Sequence, residues 1–524
     1  MSAQGKEPQR ALGKMVVGTL ISSAVKRFRD REAIFCAGRG RRFTFRQCNE
    51  RCNRLANALD GLGLKKPAVV AFLCNNRAEM VEMYFAIAKL GLIGIPLNYR
   101  LAPVEIVELM RSMGAQALLF ETRFLGVAEQ VRAGLPAVNS FIAIGDNRPD
   151  WAVAYEDLLA KAPTAEPEAD IEEHDPFYFN LTSGTTGLPK CYALTHFNNA
   201  STAPMFESFD ATSNDVFMTV FPAFGRVGYC WIAAGMQFGA RNVLLDFNAA
   251  EVLRLIGQER VTILNLVATM GAMLLAEPTV AGSDLSSLRG LVFAGSMFPV
   301  PLRERIAEQL CPAIYEYYGM QETGALTTST PADRAAREDS IGLPLPFVEL
   351  RIERPDGCTA APGEIGEIVA RSPTAVTHYH DNPAKSAETF ARGWVHTGDL
   401  GTIDDEGFLF IRGRLKDMII SGGQNVHAAE VEEAILAFPG VADCAVFGLP
   451  DETWGERVAA FVVVHVSREP PTAEALQAHC RERLAGFKIP RTLLFDTQPL
   501  PRTPTGKVQK FLLVERYGPA SSRQ

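Results

Sequence analysis

Leu181-Thr182-Ser183-Gly184-Thr185-Thr186-Gly187-Leu188-Pro189-Lys190 is the stretch from which the rest of the chain is read. Thr182, Ser183, Thr185 and Thr186 are interleaved with Gly184 and Gly187, and a lysine closes the run. That composition suits a polyphosphate. Glycine lets successive backbone N–H groups converge on one anion, hydroxyls add donors without bulk, and Lys190 supplies a point charge. The preceding Phe177-Tyr178-Phe179-Asn180-Leu181 is aromatic enough for a strand, so the loop is expected to leave the end of a sheet strand. The spacing is not that of a Walker A motif, which places four residues between its first glycine and Gly-Lys.

Four further blocks follow in order: Tyr318-Gly319-Met320-Gln321-Glu322-Thr323-Gly324, Gly393-Trp394-Val395-His396-Thr397-Gly398-Asp399, Gly413-Arg414-Leu415-Lys416-Asp417 and Pro504-Thr505-Gly506-Lys507. Together with the first stretch they resemble the adenylate-forming enzymes, which include acyl-CoA synthetases, luciferases and peptide-synthetase adenylation domains. The likeness is strongest to an AMP-forming acyl-CoA synthetase. It implies an α/β fold with a large N-terminal domain, residues 1–415, of parallel α/β sheets plus a small β-barrel-like subdomain. Residues 416–524 are then a small mobile α+β domain.

The totals agree with a protein of this kind. At 524 residues the chain is too long for one core. With 47% hydrophobic and 21% charged residues the composition is that of an ordinary soluble globular protein. A net charge of -8 argues against nucleic acid as a partner. The ten cysteines are scattered, as expected of reduced cytosolic thiols, and Cys48 and Cys52 have no His or Cys pair nearby to complete a zinc site. Residues 1–14 lack the apolar core of a signal peptide, and no uninterrupted apolar run approaches a membrane span. A cytoplasmic location is expected.

Along the chain, Met15 to Phe28 has helical spacing, Phe43 to Phe45 reads as a short strand, and a helix runs on through Leu59. Pro67 to Cys74, Gly91 to Pro96, Ala117 to Phe120, Ser140 to Ile144, Val216 to Phe221, Asn242 to Leu245, Val261 to Val267 and Leu291 to Ala294 are strand candidates. Most are separated by helices such as Asn75 to Leu90, which is the grammar of a parallel α/β sheet. From Ile341 short strands and glycine turns predict an antiparallel or barrel-like piece. After Lys416 a fresh α+β unit is expected, with helices at Ala428 to Phe438 and Thr472 to Leu484 and strands at Val441 to Phe447 and Val458 to Val466.

The resemblance distributes the chemistry residue by residue. Thr182 to Lys190 holds the β- and γ-phosphates of ATP, and Glu322 with Thr182 binds Mg²⁺, a hard cation that takes carboxylate and phosphate oxygens. Tyr318 stacks on adenine opposite the Ala294-Gly295-Ser296 backbone. Tyr317, Gly319 and Gln321 of the same run also lie at the nucleotide. Glu316 is a weaker assignment as acceptor of the adenine amino group. Asp399 accepts from the two ribose hydroxyls, with Arg414 beside it. Lys507 is the catalytic lysine, bridging the acyl carboxylate and the α-phosphate, where a mobile ammonium meets developing charge. After pyrophosphate leaves, the C-terminal domain turns about Lys416, withdraws Lys507 and presents Ser421, Gly422 and Gly423 as a tunnel for coenzyme A.

Phe224, Gly225, Arg226, Val267, Ala268, Gly295 and Met320 are assigned to the acyl pocket. The chain departs from the family's pattern at three places. Cys191 follows Lys190 where glycine is usual, Gly225 stands where many relatives carry histidine, and Gln321 replaces a threonine. Arg226 is the only charged residue between Phe221 and Ala240. It either meets a second carboxylate or polar tail on the acid or makes a salt bridge to a neighbouring helix. The absence of an acidic residue there argues against an amino-acid substrate.

The leading expectation is therefore an acid:CoA ligase acting on a fatty, aryl or carnitine-like acid. The alternative is an enzyme that loads an acyl carrier protein, and a catalytically dead nucleotide-binding scaffold ranks below both. A homodimer is left open, as is a lysine acyltransferase acting on Lys507.

Overall fold

The computed structural model describes residues 13–182, 190–295, 298–422, 424–451, 453–465, 471–502 and 508–518. The chain packs as two compact units. The first comprises the residues up to Asn265 with Ser283–Arg289 and Pro373–Ser386, and the second holds Leu266–Gly282, Gly290–Ser372 and everything from Ala387 on. The boundary expected at Leu415-Lys416 falls inside the second unit.

In the first unit a seven-stranded sheet runs Val153–Ala154, Ser140–Ile144, Ala115–Glu121, Val69–Leu73, Ile93–Pro96, Pro176–Thr182 and Lys190–Thr195. Every neighbouring pair is parallel except the last. Helices such as Ala78–Leu90, buried along its whole length, connect the parallel strands. The sheet rests on a core that includes Leu73, Ile95, Leu118, Phe120 and Phe179. A second set of strands in this unit runs Arg41–Thr44, Glu32–Cys36, Arg241–Leu244 and Val216–Thr219, parallel but for its first pair.

The strand expected before the phosphate loop exists. Pro176–Thr182 pairs with Lys190–Thr195 in a register that sets Thr182 opposite Lys190.

The second unit carries three strand assemblies. Gly290–Phe293 lies parallel to Ile314–Met320, which turns back antiparallel into Gly324–Ser329. Glu349–Glu353, Gly366–Arg371, Val395–Ile403 and Leu409–Arg414 form an antiparallel sheet in chain order. Its first and last strands are its edges, so the piece expected to be antiparallel or barrel-like is an open sheet.

The C-terminal part orders Gln424–His427, Met418–Ser421, Gly455–Val464 and Val441–Asp451, with Thr492–Asp496 joining Gly455–Val464 in parallel. Helices Ala428–Leu436 and Ala473–Arg481 contribute Val431, Ile435 and Leu476 to one core on this sheet. Lys510–Tyr517 contributes Leu513 to a separate one, with Phe447 and Phe461.

Candidate active site

The block Tyr318-Gly319-Met320-Gln321-Glu322-Thr323-Gly324 is a hairpin. Tyr318 to Met320 end one strand, Gly324 begins the next, and the register shifts between Tyr318 and Gly319. A Cβ on Gly319 would fall 1.9 Å from the Gly324 carbonyl oxygen, so the close approach itself requires glycine. The turn is fastened by Thr323, whose hydroxyl accepts the Met320 N–H at 3.1 Å and donates to the Gly324 carbonyl at 2.8 Å. Glu322 sits on this turn, 6% exposed. Thr323 is a residue that the sequence reading did not single out.

Asp399 and Arg414, from two separate blocks, are directly opposed across antiparallel strands. Arg414 Nε donates to Asp399 Oδ1 at 3.1 Å, and the Tyr318 hydroxyl donates to Asp399 Oδ2 at 2.8 Å. Three sequence-predicted residues thus meet at one carboxylate. Burial, reinforced by the Asp399 charge, pushes the Tyr318 phenol well up, which keeps it a proton donor.

The approach to Asp399 is built by residues to which the sequence reading gave no role. Thr397 accepts the Asp399 N–H at 3.1 Å while donating to the Ile368 carbonyl at 2.7 Å. Glu367 accepts the Gly398 N–H at 2.9 Å, and its other oxygen lies 2.9 Å from His396 Nδ1. Gly398 turns at φ +69.

This carboxylate is not closed. A carboxylate offers about four lone-pair positions, and one protein donor on each oxygen leaves room for ligand hydroxyls. Arg414's side chain is 42% exposed against 12% for Asp399.

Other predicted nucleotide residues have distinct settings. Tyr318 is 8% exposed, its ring packed with Leu326, Ile352, Ile368 and Leu409, so little of it remains open to a ligand. Glu316 is taken up elsewhere: Arg334 Nη1 donates to it at 2.6 Å, and Arg303 stands at 3.8 Å. That buried ion pair gives Glu316 a structural task in place of an open acceptor. Gly295 turns at φ +83, and the nearest atom to a Cβ there would be Val267 Cγ1 at 3.9 Å. Its conformation favours glycine, and a side chain there would meet nothing nearer than that ordinary contact, so the backbone leaves room for a flat ring. Ala268 is buried; Val267, Met320, Tyr317 and Gln321 are half-buried. Ser183, Gly184, Thr185, Thr186, Gly187, Ser296, Gly423 and Lys507 lie outside the described residues, as does the Thr182 side chain.

In the first unit, Lys190 Nζ stands 5.2 Å above the Tyr379 ring. Tyr379 belongs to Pro373–Ser386, a segment fastened at several points. The His380 N–H donates to the Cys191 carbonyl at 2.8 Å. Asn198 Nδ2 donates to the Pro373 and Ala375 carbonyls at 2.9 and 3.0 Å. Arg226, 4% exposed, donates to the Thr374 carbonyl between them. Neither alternative raised for Arg226, a substrate carboxylate or a salt bridge, describes this contact. Burial pushes the Cys191 thiol up to about 12, so the residue that departs from the usual glycine is an uncharged thiol.

Two glycines nearby differ. A Cβ on Gly228 would come within 2.5 Å of the Pro222 carbonyl oxygen, whereas one on Gly225 would stand 3.4 Å from it, in ordinary contact. Gly228 is demanded by packing and Gly225 is not. Phe224 packs edge-on against Tyr99, ring centroids 5.3 Å apart.

Lys416, the residue expected to serve as hinge, is exposed on a single 3-10 turn, Leu415–Asp417, between the strands Leu409–Arg414 and Met418–Ser421. Ser421 is buried. Gly422 turns at φ +58, and a Cβ there would strike the Trp454 ring at 2.5 Å.

For Mg²⁺, Glu322 presents one nearly buried carboxylate, and no group of three or more His, Cys, Asp or Glu residues gathers among the described residues. A single carboxylate fits a cation that takes most of its ligands from phosphate and water.

The family model of AMP-binding enzymes matches residues 21–380, and that of the AMP-binding enzyme C-terminal domain matches residues 430–507. The chain is 32% identical to fatty acid–[acyl-carrier-protein] ligase ScoC of Streptomyces coeruleorubidus, over 94% of each chain. It is also 32% identical to long-chain-fatty-acid–CoA ligase FadD13 of Mycobacterium tuberculosis, over 91% of this chain and 93% of that one. The solved structure of anthranilate CoA ligase AuaEII in complex with anthranoyl-AMP matches with a TM-score of 0.89 and 31% identity, covering 96% of this chain and 97% of that one. The chain belongs to the family of AMP-binding, adenylate-forming enzymes. Among the described residues no helix is long and apolar enough to cross a membrane.

Proposed function

We propose that the protein is an AMP-forming carboxylic acid:CoA ligase. In the first step a carboxylate oxygen of the acid forms a bond to the α-phosphorus of ATP, and the bond to the bridging oxygen breaks to release pyrophosphate. In the second, the sulfur of coenzyme A bonds to the acyl carbon, AMP leaves with the bond's electron pair, and the thiol proton is released. Both steps ask the protein for positioning and charge neutralisation.

The observation that carries this reading is the meeting of Asp399, Arg414 and Tyr318 at one partly open carboxylate. In the proposal Asp399 accepts the ribose hydroxyls, Arg414 stands beside the same sugar, and Gly295 gives adenine a flat approach. Thr182 to Lys190 cradle the β- and γ-phosphates. Glu322 and Thr182 hold Mg²⁺, which neutralises charge on the phosphate oxygens. Lys507 bridges the acid and the α-phosphate in the first step, and a turn about Lys416 withdraws it for the second, bringing Ser421, Gly422 and Gly423 to coenzyme A. The residues assigned to the acid, Phe224 and Gly225 in the first unit and Val267, Ala268 and Met320 in the second, are mainly apolar, which suits a fatty, aryl or carnitine-like acid.

A second acceptor is favoured by the likeness to ScoC, whose name states a carrier-protein ligase. The test is pyrophosphate release across aliphatic, aromatic and dicarboxylic acids, run with no acceptor, with CoA and with a phosphopantetheinylated carrier protein. Acyl-CoA from one acid class supports the ligase. Acyl-AMP that passes only to the carrier protein moves the assignment to the second acceptor, and no pyrophosphate with any acid contradicts both. A cytoplasmic location, homodimeric assembly and acylation of Lys507 by a lysine acyltransferase belong to the same proposal, open to cell fractionation, sedimentation and mass spectrometry of the native protein.

A further inference from the structure

The strand that carries Asp399, Val395–Ile403, is out of step with both of its neighbours at that residue. Against Gly366–Arg371, Leu400 pairs with Glu367 and His396 with Val369, so Thr397, Gly398 and Asp399 together oppose Ile368 alone. Against Leu409–Arg414, Asp399 and Leu400 face Arg414 and Gly413, and the register then skips Arg412 to set Gly401 opposite Ile411. A bulge of this kind re-aims a side chain at the expense of regular ladder bonds, and it keeps its shape only if the freed backbone groups find other partners. The turn is at Gly398, with φ +69, where a Cβ would meet nothing within 4 Å. Conformation alone therefore calls for glycine there.

Glu367 supplies the partner for that turn. Its Oε1 accepts the Gly398 N–H at 2.9 Å, while its Oε2 stands 2.9 Å from His396 Nδ1, which donates to it. The other ring nitrogen, Nε2, is buried with no hydrogen-bond partner. The contact with Glu367 is thus what the imidazole contributes, and it fixes the tautomer with the proton on Nδ1. Glu367 and His396, on neighbouring strands, hold each other, and the backbone of Gly398 is held to the pair. These bonds reach the main chain before Asp399 and leave its carboxylate to Tyr318 and Arg414.

A carboxylate that accepts from two vicinal hydroxyls must present both oxygens at the right angle, since hydrogen bonds weaken steeply once misaligned. The aim of Asp399 is set by the bulge, and the bulge is tied at Gly398.

We propose that Glu367 and His396 form a positioning pair that fixes this bulge, directs the Asp399 carboxylate at the two ribose hydroxyls and so sets how strongly the site prefers a ribonucleotide to a sugar that lacks them. Both are positioning residues, and the proposal rests on the role given to Asp399 above.

The test is titration calorimetry on the full chain with AMP and with 2′,3′-dideoxy-AMP. Glu367→Leu is expected to weaken AMP about 10-fold and the dideoxy ligand by less than about twofold. Glu367→Gln, whose amide oxygen still accepts the Gly398 N–H, should return AMP to within about threefold of the native protein. His396→Phe keeps a ring at that place and should show the same selective loss at about threefold, which carries the test if Glu367→Leu folds poorly. In the Asp399→Asn background Glu367→Leu should add less than about twofold, because the contact through which it acts is already gone. Equal loss of both ligands, full additivity with Asp399→Asn, or AMP binding unchanged in Glu367→Leu and His396→Phe overturns the pair. Asp399→Asn alone separates the two claims. If it leaves AMP binding intact, the ribose role of Asp399 is wrong; if it weakens AMP while Glu367→Leu does not, only the positioning pair falls.

Discussion

Two carboxylates in this chain each hold one arginine and one tyrosine, and the contrast between them separates framework from site. In the first unit Glu82 accepts Arg51 Nε at 2.6 Å and the Tyr155 hydroxyl at 2.6 Å. In the second, Asp399 accepts Arg414 Nε at 3.1 Å and the Tyr318 hydroxyl at 2.8 Å. The chemistry is the same, but the exposure differs. Glu82 and Arg51 show 3% and 17% of their side chains, against 12% and 42% for Asp399 and Arg414. Arg51 also binds Glu156 with two nitrogens, at 2.8 and 2.9 Å, so its donors face carboxylates on both sides. A closed trio has no exchange to offer a ligand. An open one can admit hydroxyls without breaking what it already holds.

The largest expected effect lies in the closed trio. Arg51→Met leaves the buried Glu82 carboxylate without its counter-ion and should cost about 3–5 kcal/mol of stability, read from denaturant midpoints. Nucleotide affinity measured on the folded fraction should not change. A variant that loses AMP binding while melting normally would erase the distinction.

Acid probes the same enclosed unit. His196, stacked on Phe177 and accepting the Val17 N–H at Nδ1, is pushed down to about 4 by burial. Its unfolded value lies near 6.5, so the unfolded state binds the extra proton first. The contribution of the neutral imidazole is full above about pH 6.5 and is lost as pH falls to about 4, by at most about 3 kcal/mol. His196→Asn, which keeps an acceptor for Val17, should lose stability less steeply across that window; identical slopes would remove His196 as the cause.

The smallest effects concern the two glycines. Gly228→Ala drives a Cβ into the Pro222 carbonyl and should cost about 1–3 kcal/mol. Gly225→Ser sits at a helix N-cap with room for a side chain and should change stability by less than about 0.5 kcal/mol. Its effect is expected in the choice of acid, read from the acid panel. Equal destabilisation by both substitutions would make Gly225 structural.

Much of this was legible in sequence because it is local. The strand Ser140–Ile144 and the helices Phe45–Gly61 and Ala428–Leu436 follow periodicity and caps, Thr44 and Gln47 forming a capping box at the first of these helices. Periodicity leaves Glu32–Cys36 unassigned, since so short a strand, with four apolar residues, gains its identity only from its neighbours Arg241–Leu244 and Arg41–Thr44. The blocks holding Tyr318, Asp399 and Arg414 were each visible, yet their meeting at one carboxylate depends on register across strands that no single block encodes. Arg226 shows the limit most clearly. Its charge within an apolar stretch pointed either to a second carboxylate on the acid or to a salt bridge, and one contact it makes is with the backbone carbonyl of Thr374, which has no signature in side-chain types. Glu82, Arg51 and Tyr155 likewise come together over long separations in sequence.

The central claim is that the open trio holds the ribose of the nucleotide, and titration calorimetry tests it most directly, with AMP and with 2′,3′-dideoxy-AMP, on the native protein and on Asp399→Asn. The account predicts that Asp399→Asn weakens AMP about 10- to 100-fold, in keeping with about 1.5–3 kcal/mol for hydrogen bonds to a charged group. It also predicts that the dideoxy ligand binds native protein and variant alike. AMP binding unchanged in Asp399→Asn, or an equal loss for both ligands, would contradict it.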